Sequence, residues 1–123
     1  MKRYIVIFGV LVLLGCKNAR QYELENIRKS IENFNINENI EKITEYFDNK
    51  NIQYSLLRSD DIENIEVTPF IDNDDRILFC VYYIEKSKDF IKTIKETYYS
   101  VYIIFNENDE LKKIVFDESY LAL

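Results

Sequence analysis

The apolar residues of this chain change their spacing once, near residue 50. Before it, Leu24, Ile27, Ile31 and Phe34, then Ile36, Ile40, Ile43 and Phe47, recur at steps of three and four. That spacing lines one face of a helix at 3.6 residues per turn. After it the step is two. "IQYSLL" (52–57) and "NIEVTPF" (64–70) alternate, and "RILFCVYYIE" (76–85) and "ETYYSVYIIF" (96–105) are long β-branched and aromatic runs. A chain that reads helix, helix, then strands has few choices of layer. It predicts an α+β fold with two N-terminal helices packed on one face of a four- to five-stranded antiparallel meander.

The boundaries follow from local chemistry. The first helix is expected over 20–34. Asn35, with Glu38 three residues on, suits an N-cap for the second, which runs to about Phe47 and stops at "DNKN" (48–51). Pro69 has no N–H to give a ladder, so the 64–70 strand is expected at an edge. "DNDD" (72–75) and "NEND" (106–109) read as turns, the second with Asn in place of the usual Gly. "KSKDFIKTIK" (86–95) fits a hairpin extension or a short helix. "ELKKIVF" (110–116) closes the meander, and "SYLAL" is apolar enough to pack back on the domain.

Both glycines, Gly9 and Gly15, lie in the first fifteen residues, and the chain has no His. The remainder therefore lacks phosphate loops and dinucleotide fingerprints, which need backbone to approach a ligand without a Cβ. His-based triads and the usual zinc sites are excluded with them. Carboxylates, tyrosines, lysines and a thiol are left for chemistry. The net charge is −6; Lys2 and Arg3 precede residue 16 and no acid does, so from there on 14 basic residues face 22 acidic ones, a net −8. Such a surface repels phosphate backbones, so no nucleic-acid partner is expected.

The first residues carry an address. Lys2 and Arg3 precede an uncharged run, Tyr4 to Leu14, too short for the roughly 20 residues of a bilayer span. It has the proportions of a secretory leader. It ends in Leu13-Leu14-Gly15-Cys16, which resembles the lipobox of bacterial lipoproteins. The resemblance implies a signal peptide over 1–15, acylation of Cys16, a tether over 16–19 and a single domain over 20–123. It also implies a lipid-anchored, extracytoplasmic protein. Two or three acyl chains hold stably where one is marginal. Lys17, in place of the Asp of inner-membrane retention, implies the periplasmic face of the outer membrane in a Gram-negative cell. In element order the domain resembles small outer-membrane-assembly lipoproteins and β-lactamase-inhibitor-like domains.

Two helices cover one face of a sheet. With 77, 79, 81 and 83 beside 99, 101, 103 and 105, that face is the more apolar and is assigned to the helices. The other carries Leu78, Cys80, Tyr82 and Ile84 beside Tyr98, Ser100, Tyr102 and Ile104. Its tyrosines Tyr82, Tyr98 and Tyr102 have apolar bodies and polar tips, and are the candidate partner-binding surface. Cys80 reads as a small buried hydrophobe. "DNDD" fails as a calcium loop, because Arg76 stands where a ligand belongs and no Gly follows. No carboxylate pair is marked as buried. The expectation is a binding protein and not an enzyme, with no cofactor or metal. Its partners are the bilayer, through Cys16, and an envelope protein. The alternative is an acidic inhibitor or immunity protein against a cationic toxin or cell-wall hydrolase.

Overall fold

The computed structural model describes residues 22–88 and 94–122. The leader, Cys16 and the tether lie outside these residues. The fold class is α+β, two helices followed by a four-stranded antiparallel meander. Two compact units divide the chain between Asn33 and Phe34. In the first, helix α1 is described over 22–32. Ile31 on its stripe is fully buried and Leu24 and Ile27 half so. An Arg28–Glu32 pair at 3.3 Å spans one turn of its exposed side.

In the second unit, helix α2 spans Ile40–Asn49 and buries Ile40, Ile43 and Phe47. It starts later than the Asn35–Glu38 spacing predicts. Asn37 takes a left-handed φ of 71°. Its N–H bonds the Leu111 carbonyl, the Leu111 N–H bonds Glu38, and the Ile40 N–H bonds Asp109. These tertiary bonds keep residues 37–39 out of the helix, and Asn39, whose own backbone is extended, is the cap instead. Its Oδ1 accepts from the Glu41 N–H at 2.8 Å. Ile36, counted from sequence as part of the apolar stripe, is left 65% exposed. The helix ends where "DNKN" predicts. Asn51 takes φ 56° and donates to Asp48, and Ile52 donates to Phe47, the paired bonds of a Schellman stop.

The strands are β1 (Ser55–Arg58), β2 (Arg76–Lys88), β3 (Ile94–Phe105) and β4 (Leu111–Ala122), in that order across the sheet. The predicted strand over 64–70 does not form. Those residues lie in turns, with 3₁₀ turns at Ser59–Asp61 and Thr68–Phe70 on the β1–β2 connection. Pro69 is the second residue of the latter, where its fixed φ suits a helical turn. Ile65 is 84% exposed and Val67 fully buried, so the two never shared a face. The "SYLAL" tail does not fold back either; β4 runs through it, with Lys95 opposite Ala122.

Register decides what each face holds. Ile77 pairs with Ile104, Phe79 with Tyr102 and Val81 with Ser100. From residue 76 to the bulge after Val81, odd residues of β2 thus sit beside even residues of β3, a one-residue shift from the sequence-based pairing; beyond the bulge Tyr83 meets Tyr99 and odd sits beside odd. Such a shift moves every side chain of one strand to the other face. One face carries Ile77 and Ile104, covered by Ile62 and Val67 of the β1–β2 connection, with Leu57, Ile71, Tyr102 and Val115 around them. Asn64 Nδ2 pins that connection to Asp117 at 3.1 Å, and Lys113 lies over the Phe70 ring. The opposite face carries Leu78, Val101, Ile103, Phe105 and Leu111, all fully buried. Helix α2, which buries Ile40, Ile43 and Phe47, also packs against the sheet.

Candidate functional site

The three candidate tyrosines do not form one surface. Tyr98 and Tyr102 lie on the face shared with Phe79 and Ile84. Tyr82 lies on the other, edge-on to Phe116 at 6.1 Å and 8% exposed. The register shift separates them, and a bulge between Val81 and Tyr83 re-aims the strand at that point. Tyr102 is half-buried against the connection's cluster, its ring 4.9 Å from Phe79. Tyr98 is half-exposed and donates its hydroxyl to Glu96. That bond, with some burial and the same carboxylate's charge, raises its pKa. Tyr99, on the Tyr83 side, bonds Glu85 at 3.2 Å and is pushed up to about 12, first by desolvation and then by that bond.

Past the end of β1 the sheet continues as three strands. The face that the connection covers at Ile77 carries Phe79, Val81, Ile84 and Tyr98 beyond it, with Ile84 51% exposed. A shallow cleft of about 370 Å³ opens beside the start of β1, lined among others by Tyr54, Ser55, Phe79, Val81 and Ile84. Apolar and aromatic side chains, next to strand backbone with no neighbouring strand among the described residues, form a surface suited to binding an extended chain.

The other end of the sheet carries the charge. An open cleft of about 470 Å³ is lined by Ile36, Asp72, Asp74, Asp75, Glu107 and Lys112, with asparagines between them. Asp75 is the pivot. Its carboxylate is 5% exposed, accepts from the Asp72 N–H at 2.8 Å, and holds Lys112 Nζ at 2.6 Å. Lys112 also meets Asp72 at 2.6 Å. The bonds to Asp72 and Asp75 raise the lysine's pKa. Arg76 meets Asp109 at 3.2 Å. Much of this acidity is thus neutralised internally, and "DNDD" serves as a capped turn. Among the described residues no cluster of His, Cys, Asp or Glu could hold a metal ion.

Cys80 lies between these ends, free and buried. Desolvation pushes its thiol from 9.0 up to about 12, so at neutral pH it is a packed thiol without nucleophilic character. Sequence reasoning missed Lys112 and the vacant side of β2. The first is signalled only by a lysine 37 residues from its carboxylate. The second depends on β1 being four residues long, where a longer strand was expected.

Among the described residues no helix is long and apolar enough to cross a membrane. The chain matches no family model, no curated protein and no solved structure.

Proposed function

We propose that this chain is an envelope lipoprotein, held by acyl chains on Cys16, whose folded part is a non-catalytic protein-binding or adaptor module. The observation that carries the reading is the leader: two cations, an apolar run, then Leu13-Leu14-Gly15-Cys16. A hydrophobe at each of those places, a small residue and a thiol are what a lipid-transfer and cleavage pathway reads. The anchor places the domain on the extracytoplasmic side of a membrane, at the periplasmic face of the outer membrane in a Gram-negative cell. Binding is favoured over catalysis by the kind of surface on offer. The apolar strip at Phe79, Val81 and Ile84 is shallow and open, and the buried thiol and buried carboxylate are both committed to packing or pairing.

The acidic cleft supports a second reading, an inhibitor or immunity protein against a cationic toxin or cell-wall hydrolase. Asp74 and Glu107 on its rim would face such a partner.

The test has two parts. Wild-type chain should take up a labelled fatty acid and fractionate with membranes, and Cys16→Ser should do neither. A Cys16→Ser variant that stays membrane-bound refutes the anchor. Photo-reactive residues at positions 84 and 74, with Glu41 as control, should then crosslink an envelope protein at 84. A basic hydrolase or toxin caught at 74 alone turns the reading to inhibition.

A further inference from the structure

Strand β2 is 13 residues long and β1 pairs with four of them, so residues 80–88 have no strand beside them on that side among the described residues. Alternate residues of such an edge point their N–H and C=O groups outward. Only an extended backbone satisfies that row. The space beside it begins at the cleft of Tyr54, Ser55, Phe79, Val81 and Ile84, where the chain enters β1 from the α2 side. An added strand would continue the line of β1 end to end.

Among the described residues the outer sides of β1 and β4 are free edges too; β1 offers only four residues, and β4 is better defended. It carries Lys112, Lys113, Asp117 and Glu118, and Asn39 bridges to Glu110 just before it. Charged edges resist strand addition. Residues 80–84 of β2 carry no charge, and Glu85, Lys86 and Lys88 beyond them are of mixed sign.

We infer that the outer edge of β2, from residue 80 onward, takes an extended cationic segment of another protein as an added strand, antiparallel to β2. This rests on the proposed binding module and supplies its point of contact. The backbone row sets the extended form. Phe79, Val81 and Ile84 set apolar residues at alternate positions of the segment. Charge selects the partner. The chain carries a net −8 from residue 16 onward, which attracts a cationic segment and repels a second copy of the same chain.

The experiment is hydrogen exchange on the full chain in non-ionic detergent. The probe is a nine-residue peptide of alternating valine and lysine, with its valine–glutamate counterpart as control. The lysine probe should slow alternate amides within 81–88 by about tenfold or more and leave β4 unchanged, since a newly paired edge amide exchanges only on dissociation. Ile84→Lys should weaken the probe about tenfold, while Ile65→Lys on the β1–β2 connection should not. Unchanged exchange of core amides in Ile84→Lys excludes unfolding as the cause. Slowing in β4, an equal effect of the glutamate probe, or no slowing at all overturns the edge. Slowing that grows with protein concentration and needs no probe also overturns it, by making a second copy the occupant. Crosslinking from a photo-reactive residue at position 54, which lines the same cleft and leaves position 84 free to vary, separates the two proposals. An envelope partner caught equally by wild type and Ile84→Lys sinks the edge and keeps the module. Capture of no partner, with probe slowing intact, sinks the module and keeps the edge as a peptide site.

Discussion

The buried thiol gives the sharpest check on the packing between strands. Cys80 is 2% exposed, and burial moves its pKa from 9.0 to about 12. The native state therefore keeps its proton where the unfolded chain loses it. A raised acid pKa means stability that is intact below 9.0 and falls as pH rises toward 12. At about pH 10 the unfolded thiol is roughly ten parts ionised to one neutral, while the native one stays neutral. The unfolded state gains RT ln 11, about 1.4 kcal/mol. Cys80→Ala removes that gain, at a cost of about 1 kcal/mol in packing at every pH. Urea unfolding of both proteins near neutral pH and near pH 10 measures the difference. Tyr98, Tyr99, Tyr120 and Lys112 also have raised pKa values and weaken the fold in alkali, but they are present in both proteins and cancel. Wild type should lose about 1.4 kcal/mol more than Cys80→Ala between the two conditions. Equal losses would mean that the native thiol ionises as freely as the unfolded one, and that the β2–β3 face is open to water at Cys80.

Tyr102→Ala should lower stability by about 3 kcal/mol in a chemical melt, because the ring packs on Phe79 and on the connection's cluster; an unchanged midpoint would return Tyr102 to the surface role its sequence context predicts. Tyr46→Phe should hold or raise the melting temperature, since its buried hydroxyl has no hydrogen-bond partner among the described residues and its removal relieves a desolvation cost of about 1 kcal/mol. Lys112→Met should cost about 3 kcal/mol by leaving the Asp75 carboxylate, 5% exposed, without its cation. Asp72→Asn should cost under about 0.5 kcal/mol, because that carboxylate is 82% exposed and screened, although its hydrogen bond is the larger cause of the raised lysine pKa. In a double-mutant cycle at neutral pH Lys112 should couple to Asp75 and not to Asp72.

The element order was legible because period is written in the residues themselves. Ile40, Ile43 and Phe47 are helical in spacing and all three are buried; the 76–85 and 96–105 runs are strands. What escaped was set by contacts between distant residues. Asn35 has the chemistry of a cap, but backbone bonds from 37–40 to 109–111 delay the helix to Asn39. The pairing of Ile77 with Ile104 depends on how the chain crosses between β2 and β3, and nothing in either strand states whether odd meets odd or odd meets even. That parity scattered the tyrosine surface across two faces. Residues 64–70 look alternating, but Pro69 and the burial of Val67 beneath the β1–β2 connection reflect a turn folded over the sheet. Cys80 was read correctly as buried although the register moved it from the face of Ser100 and Tyr102 to that of Val101, because a small thiol inside the apolar run "ILFCVYY" packs on either face.

The two ends of the sheet divide attraction from contact. Around Asp75 the charges are largely spent on each other, through Lys112 and through Arg76 with Asp109. What remains, on Asp74, Glu107 and elsewhere on a chain of net −6, acts at long range and is weakened by salt within a Debye length of about 8 Å. The vacant side of β2 carries backbone groups and the apolar Phe79, Val81 and Ile84, whose interactions salt barely touches. Under the strand-addition proposal the two terms separate kinetically. Raising ionic strength should slow association steeply while the dissociation rate holds, and Ile84→Lys should raise the dissociation rate even in high salt. An inhibitor that seats a cationic side chain in the acidic cleft would behave in the opposite way, since its bound state would itself rest on charge and would be released faster as salt rises. The salt dependence of the dissociation rate, more than that of the affinity, therefore tells which end of the sheet holds the partner.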